Sequence, residues 1–217
     1  MSRSRRPISW FLFTTQQAAF MIDVRKITDL HESTVALWHQ QDIANPYEGF
    51  LHVVCQQHMF NYQLWHEEDI ARSPNVGDLK VAAVKRAIDG YNQKRNDAIE
   101  QLDAYLLREL NEQKIVPAPD ARQNTETPGS AIDRLSILAL RRYHMQEQAD
   151  RADAAEEHRA KARQRLEIIG EQHRDLSNGL RELLEDIFAG RKRLKVYFQF
   201  KMYNDPTMNP YLYKNKD

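Results

Sequence analysis

Three segments of the chain place polar side chains on the same helical face as apolar ones, at spacings of three and four residues. An amphipathic helix normally turns apolar side chains toward the core, and an unpaired buried ion is strongly destabilising. These polar groups must therefore pair with one another or bind a ligand. They are His58, Asn61, Asp69 and Arg72 in the first segment, Lys85, Asp89, Asn92, Asn96 and Asp103 in the second, beside Arg95, and Asp133, His144, Gln148 and Arg151 in the third.

Two interpretations of these polar faces stay open. In the first, salt bridges and amide hydrogen bonds between helices fix the register of a bundle. In the second, the faces line a polar cavity that binds a small ligand. Both signs of charge, two histidines and several carboxamides are present, and such clusters perturb pKa values as functional sites do. This richness favours the cavity.

The cavity interpretation assigns chemical roles. His58, Asp69 and His144 are the candidates for proton transfer or metal contact, and His66 is a further candidate for a general base because histidine titrates near neutral pH. Arginine and lysine side chains could clamp a phosphate or a carboxylate. The predicted ligand-binding residues are Asn61, Arg72, Lys85, Asp89, Asn92, Arg95, Asn96, Asp133 and Arg134.

Magnesium is the candidate cofactor, since it binds one or two carboxylates together with phosphate oxygens. The carboxylates available to it are Glu68, Asp69, Asp89, Glu100 and Asp103. Glu100 and Asp103 have the Glu-x-x-Asp spacing of all-α nucleotide pyrophosphatases, but the upstream Glu-x-x-Glu pair is missing. No Glu-x-x-His pair, P-loop, GxGxxG or GxSxG motif occurs, and Ile70 stands where a zinc-protease helix beginning at His66 needs its second histidine.

Composition favours a helical protein. The 7 glycines and 8 prolines make up about 7% of the 217 residues, where roughly 12% is ordinary. The 31 basic and 31 acidic side chains cancel, so bulk charge gives no reason to expect nucleic acid or an anionic membrane as a partner. The single cysteine, Cys55, excludes an internal disulfide and CxxC motifs and indicates a reducing cytoplasm.

Hydrophobic periodicity predicts an all-α bundle with a long C-terminal helical hairpin or coiled-coil-like segment. The front helices are expected over about 22–42, 49–72 and 79–113, the last capped by Asp78, and a linker near 114–129 follows. Ser130 is the expected N-cap of the next helix, with Asp133 in the capping-box position.

A heptad seam is predicted in the hairpin, and Gly190 is expected to end its helix. The seam consists of Leu166, Ile169, His173, Leu176, Leu180, Leu183 and Ile187, with Ala152, Ala155 and Ala162 extending it upstream. The apolar run 196–200 could extend the helix or form a strand.

The N-terminal residues 1–20 are predicted to be a tail outside a single helical domain over 21–217, with Met21 as a second start. Arg3, Arg5 and Arg6 precede a short apolar run that resembles a signal peptide. That run is shorter than an h-region, and no segment reaches the length of a membrane span, so a cytoplasmic protein is expected.

Five segments resemble the bacterial domain-of-unknown-function family 4254 over about residues 22–213. They are HMFNYQLWHEEDIAR at 58–72, KRAIDGYNQKRND at 85–97, ETPGSAIDRLSIL at 126–138, YHM at 143–145 and QFKMYNDP at 199–206. Tyr91 and Phe198 depart from the family pattern, which has leucine and arginine there. The resemblance implies no reaction and no catalytic residues. It implies a link to cell-envelope glycan metabolism, and with it an anionic sugar or nucleotide-sugar ligand.

The sequence thus predicts a polar site within the bundle that binds or converts a small anionic metabolite. This metabolite would be phosphorylated, a nucleotide or similar to a nucleotide sugar, and Mg²⁺ could assist. The alternative is a non-catalytic adaptor or assembly protein that acts through its hairpin, with the heptad seam as a homodimer surface.

Overall fold

A computed structural model describes residues 22–198, 202 and 205–214. The predicted tail over 1–20 and the start at Met21 lie outside the described residues. So do most of the QFKMYNDP segment and the end of the apolar run 196–200.

The described chain is an all-α bundle, as predicted. One short parallel ladder joins the segment before the fourth helix to the segment after the fifth, with Arg122 opposite Lys192. The elements are α1 (Val24–Trp38), α2 (Gly49–Arg72), α3 (Asp78–Glu112), β1 (Arg122–Gln123), α4 (Pro128–Asp150), α5 (Glu156–Phe188), β2 (Lys192–Arg193) and α6 (Pro210–Tyr213). None of the described helices combines the length and the apolar character that crossing a membrane requires.

Local capping explains where several helices begin and end. The Asp23 carboxylate accepts a hydrogen bond from the Arg25 backbone N–H at the start of α1, 2.9 Å away. Gly190, the residue after the C-cap Ala189 of α5, has φ +72°, as a glycine that ends a helix should. Gly77 is the N-cap of α3 and Asp78 is its first residue, so the predicted cap was one residue late.

The predicted start of α4 was wrong. Thr127 caps α4 by accepting a hydrogen bond from the Ser130 backbone N–H at 3.2 Å. Pro128 follows as the first helical residue, where its fixed φ suits a helix and its missing N–H is not needed. Asp133 consequently lies one turn inside the helix and forms no capping box. Its side chain is buried and bonds to other helices.

The core is shared by helices α1 to α5. Helix α2 packs along α3, α5 packs along α4, and α4 also contacts α1, α2 and α3, so it is the central helix. Apolar residues from every one of these helices form one cluster, including Ile27, Val54, Leu102, Leu106, Ile132, Leu135 and Leu180. Burial of this continuous apolar surface is the main force that holds the bundle together.

The predicted heptad seam packs inside this chain. Leu180 and Ile187 are buried in the central cluster, and Leu176 and Leu183 pack at its edge. The upstream extension was wrong at Ala152 and Ala155, which precede the first residue of α5, whereas Ala162 lies on α5 and is buried. Much of the seam thus packs against the chain's own helices, and its role as a homodimer surface stays a prediction.

Candidate functional site

Asp133 on α4 lies at the centre of a buried hydrogen-bond network. Its carboxylate accepts a hydrogen bond from Gln57 at 2.5 Å and from Asn61 at 3.0 Å, both on α2. Arg95 on α3 donates from Nε at 2.7 Å and from a terminal nitrogen at 2.5 Å, one bond to each carboxylate oxygen. These bonds raise the pKa of Arg95. The network joins three helices and satisfies the buried charge, as the register interpretation expects.

His58 extends the buried network. Its Nδ1 lies 2.7 Å from the hydroxyl of Ser136, which also accepts a hydrogen bond from Asn61 at 2.8 Å. Burial lowers the pKa of His58 to about 3, so its ring is neutral at physiological pH. The ring of His31 lies 4.7 Å away. Two open clefts lie near this network, and His58 lines neither of them.

An open cleft of about 470 Å³ lies between α2, α3 and α4. It brings together five of the predicted residues, Asn61, Asp69, Arg72, Asn92 and Arg95. Leu64, Trp65, Glu68, Ile137, Leu140 and Arg141 complete the lining. The polar faces of three helices thus meet both in a closed network and in an open cleft beside it.

Ion pairs occupy part of this cleft. The Arg72 guanidinium lies 2.7 Å from a carboxylate oxygen of Glu68, and the Lys85 ammonium lies 3.5 Å from the same oxygen. Within the described ranges, Asp69 has no ion pair, and the Arg141 guanidinium has neither an ion pair nor a hydrogen bond. Arg141 was not predicted as a site residue, although it lies three residues before His144 on the polar face of the third segment.

A second cleft of about 470 Å³ adjoins the first, and the two share Trp65, Asp69 and Arg141. His144, predicted as a site residue, lines this second cleft. The remaining lining residues are Met145, Glu147, Gln148 and Ile169. Arg141, which has no acidic partner among the described residues, thus lies at the boundary of the two clefts.

Four further predicted residues do not line either of these two clefts. Lys85 and Asp89 are exposed, so the prediction that they face the core was wrong, because α3 turns this part of its stripe to solvent. Asn96 is half-buried and lines neither cleft. Arg134 is exposed, forms an ion pair with Glu126 at 2.6 Å and lines a third cleft of about 540 Å³ together with Arg141 and Asp175.

The carboxylates that the sequence offered to Mg²⁺ are scattered. Asp103 is buried and accepts a hydrogen bond from the Gly129 backbone N–H at 2.7 Å, near the start of α4. Burial raises the pKa of Asp103. Over the residues that the structure covers, no three acidic side chains lie close enough to share an ion. Glu68 and Asp69 line the first cleft.

Three histidines from three helical segments converge beside the second cleft. His39 follows the last residue of α1, His66 lies on α2 and His144 lies on α4. One ring nitrogen from each lies within 4.8 Å of the others. They are separated by 27 and 78 residues in the sequence, and their periodicity on any one helix gives no sign of the cluster.

The Nε2 atoms of these three rings are buried and have no hydrogen-bond partner among the described residues. An unsatisfied buried polar atom costs about 1–3 kcal/mol, so three at one place require a physical explanation. Burial and then the neighbouring rings of His39 and His144 lower the pKa of His66, which keeps that ring neutral.

Aromatic rings hold the three histidines in place. Tyr143 stacks on His39 with 4.2 Å between ring centroids, and Trp65 stacks on His144 at 4.8 Å with an interplanar angle of 7°. Tyr62 contacts the His66 ring at 4.5 Å, edge to face, and donates a hydrogen bond to the Trp38 carbonyl. The rings are thus held by packing on their faces, and their Nε2 atoms have no hydrogen-bond partner in the described part of the chain.

Comparison with known proteins agrees with the resemblance seen in the sequence. A family model described as protein of unknown function (DUF4254) matches residues 51–196, about two thirds of the chain. This span includes both clefts, His66 and His144, and it leaves out α1 and His39. No curated protein and no solved structure is detectably similar to the chain. The chain belongs to the DUF4254 family of proteins of unknown function.

Proposed function

We propose that the cleft between α2, α3 and α4 binds a small anionic metabolite that carries a phosphate or a sugar phosphate, in the class of nucleotides and nucleotide sugars. The observation that carries this proposal is the guanidinium of Arg141. It lines both adjoining clefts and has no acidic partner among the described residues. An arginine in this state can form paired hydrogen bonds to a phosphate without first leaving another ion pair.

Two further arginines of the cleft are oriented by carboxylates. Asp133 holds Arg95 through two hydrogen bonds, and Glu68 holds Arg72. Side chains fixed in this way lose little conformational freedom when a ligand binds. A ligand phosphate at Arg141 would therefore meet a site whose other cations are already positioned.

The remaining lining supports a ligand with both polar and apolar parts. The Asn92 amide has no hydrogen-bond partner among the residues described and could bind a hydroxyl or a phosphate oxygen. Trp65, Leu64 and Leu140 provide apolar surface for a sugar or a base. Asp69, which has no ion pair in this part of the structure, could bind Mg²⁺ together with ligand phosphate oxygens.

The cytoplasm is the proposed place of action. The one cysteine of the chain, Cys55, is buried and free, and burial raises the pKa of its thiol to about 12. A protonated, enclosed thiol of this kind suits a reducing compartment, where no disulfide is needed for stability.

The test is a thermal-shift panel on the full chain with inorganic phosphate, nucleoside mono-, di- and triphosphates and nucleotide sugars, each with and without Mg²⁺. We expect at least one compound to raise the melting temperature by mass action. The affinity of that compound is then measured for the wild type, for Arg141→Ala and for the control Arg86→Ala. Arg86 is an exposed arginine on α3 that lines neither cleft.

Arg141→Ala should lower the affinity for the compound by about 10–100-fold, the effect of losing a charge-assisted hydrogen bond. Arg86→Ala should bind the compound as the wild type does. A panel without any stabilising compound would overturn the proposal and favour the adaptor role. Equal affinity of Arg141→Ala and the wild type would overturn it as well.

A further inference from the structure

We propose that His39, His66 and His144 bind one Zn²⁺ ion through their Nε2 atoms. This site uses different side chains from those proposed to bind the anion, and it does not depend on a ligand in the cleft.

The hydrogen bonds at the Nδ1 atoms identify the free nitrogens. Nδ1 of His39 lies 2.6 Å from the Val35 carbonyl oxygen, and Nδ1 of His144 lies 2.8 Å from a carboxylate oxygen of Glu147. Because a carbonyl and a carboxylate only accept, each Nδ1 carries the proton and donates it. In this tautomer of His39 and His144 the lone pair is on Nε2, the atom that would bind the metal.

This arrangement matches the support that metal-binding histidines receive. Their second ring nitrogen usually donates to a backbone carbonyl or a carboxylate, which fixes the tautomer and orients the ring. Val35 and Glu147 provide one partner of each kind. The stacked rings of Tyr143 and Trp65 restrict rotation of the same two imidazoles.

The spacing is close to that of a metal site. Nitrogens that share a tetrahedral zinc at about 2.0–2.1 Å lie roughly 3.3 Å apart. One ring nitrogen from each histidine already lies within 4.8 Å of the other two. Zinc binding therefore requires the three rings to move closer together around a common centre.

A pair of buried histidines elsewhere in the core shows what distinguishes this cluster. His31 and His58 also have ring nitrogens without partners, and their rings lie 4.7 Å apart. Within the described chain, however, no third histidine, cysteine or carboxylate joins them at metal-binding distance. A three-ligand set occurs at His39, His66 and His144.

The ligand type selects the ion. Three imidazoles without a carboxylate do not suit Mg²⁺ or Ca²⁺, which prefer oxygen, and they do suit zinc and its neighbours in the transition series. Three protein ligands leave one coordination position of a tetrahedral ion open for water or another ligand, as in catalytic zinc sites. His144 also lines the second cleft, together with Arg141.

The experiment measures metal binding by the full chain. Protein stripped with a chelator is titrated calorimetrically with Zn²⁺, and Co²⁺ is added separately as a spectroscopic probe of coordination. We expect one Zn²⁺ per chain and visible Co²⁺ absorption of the intensity typical of tetrahedral nitrogen coordination. His66→Gln and His144→Gln each remove one ligand with little change in volume, and His52→Gln is the matched control, because His52 is exposed and lies on the same helix as His66.

Glu147→Gln separates a ligand from its support. Glu147→Gln should lower the zinc affinity by roughly 10–100-fold, the range for a residue that orients a metal ligand. His66→Gln and His144→Gln should each lower the zinc affinity by more than that. His52→Gln should bind as the wild type does. Circular dichroism and the melting temperature without metal verify that each variant is folded.

Absence of zinc binding by the stripped wild type at micromolar concentration would overturn the proposal. Zinc binding that remains unchanged in folded His66→Gln and His144→Gln would overturn it too, since the ion would then be held elsewhere. Neither result would affect the thermal-shift test of the anion site, which is read through Arg141.

Discussion

Arg95 on α3 donates one hydrogen bond to each carboxylate oxygen of Asp133 on α4, at 2.7 and 2.5 Å. The same carboxylate accepts from Gln57 and Asn61 on α2, so one buried charge joins three helices. Arg95 also lines the open cleft. The pair is therefore part of the bundle's internal support and part of the wall of the proposed ligand site.

Replacing Asp133 should destabilise the protein strongly. Asp133→Ala leaves the Arg95 guanidinium and two amide donors without their acceptor, and we expect the free energy of unfolding to fall by about 3 kcal/mol. Glu126→Ala is the control, because its partner Arg134 is exposed, and it should cost at most about 1 kcal/mol. Urea denaturation measures both, and similar losses would contradict the central role of Asp133.

Gly129 and Gly90 should respond to alanine with opposite signs. A Cβ atom at Gly129 would lie 2.7 Å from the Ile99 carbonyl oxygen and 2.8 Å from an oxygen of Asp103, so Gly129→Ala should destabilise by about 1–3 kcal/mol. A Cβ at Gly90 within α3 would meet nothing within 4 Å. Gly90→Ala should therefore stabilise by about 0.5–1 kcal/mol through lower entropy of the unfolded chain. Thermal denaturation of the two variants decides the matter, and a neutral Gly129→Ala would show that α3 and α4 are not in close contact there.

The apolar seam of α5 should stabilise the isolated chain. Leu180 is 1% exposed and Ile168, on the same helix, is 50% exposed. Leu180→Ala should lower the free energy of unfolding by about 2–5 kcal/mol, and Ile168→Ala should change it by no more than about 0.5 kcal/mol. Denaturation at several protein concentrations is the measurement. Because the seam packs within one chain, the cost of Leu180→Ala should be independent of concentration, and a concentration-dependent cost would show that the seam joins two chains.

Acid should destabilise the protein through His58. Burial lowers the pKa of the folded His58 to about 3, whereas an unfolded histidine has a pKa of about 6.5. Below pH 6.5 the unfolded chain binds a proton that the folded chain does not, so stability decreases as the pH falls. Through His58 alone, the free energy of unfolding should fall by up to about 1.4 kcal/mol for each pH unit below 6.5. Burial lowers the pKa of His31 as well, which adds to the effect in the same direction.

The measurement is urea denaturation between pH 7.5 and 5, in the presence of a chelator, for the wild type, His58→Asn and the exposed-site control His52→Gln. His58→Asn should have a shallower pH dependence than the wild type, and His52→Gln should not. Parallel curves for all three proteins would mean that His58 is protonated with similar ease in the folded and unfolded states.

Periodicity and terminal signals predicted the helices well. The bounds of α2 were predicted as observed, because an Asn-Pro turn precedes the helix and Ser-Pro follows it. The N-cap of α4 was missed by three residues because Thr127 and Ser130 are both good caps, and only the first has Pro128 directly after it. Neighbouring residues can each serve as the N-cap, and the sequence shows these candidates more clearly than it shows which one is used.

The candidate site was predicted in part for a related reason. A polar residue on an otherwise apolar face must be satisfied, which identified Asn61, Arg95 and Asp133 from the sequence alone. Their partners Gln57 and Ser136 were not identified, although Gln57 lies one helical turn before Asn61 and Ser136 lies three residues after Asp133. Periodicity also placed Lys85 on the core-facing stripe, although α3 leaves it exposed.

The sequence by itself determined that the chain is helical, where most of its helices lie and that polar groups would have to meet in its interior. Only the tertiary structure decided which groups meet. His39, His66 and His144 belong to separate helical segments, so their approach depends on how those helices cross and on the height at which they pack. Those quantities are set by the packing of the whole core, and helical spacing within one segment contains no information about them.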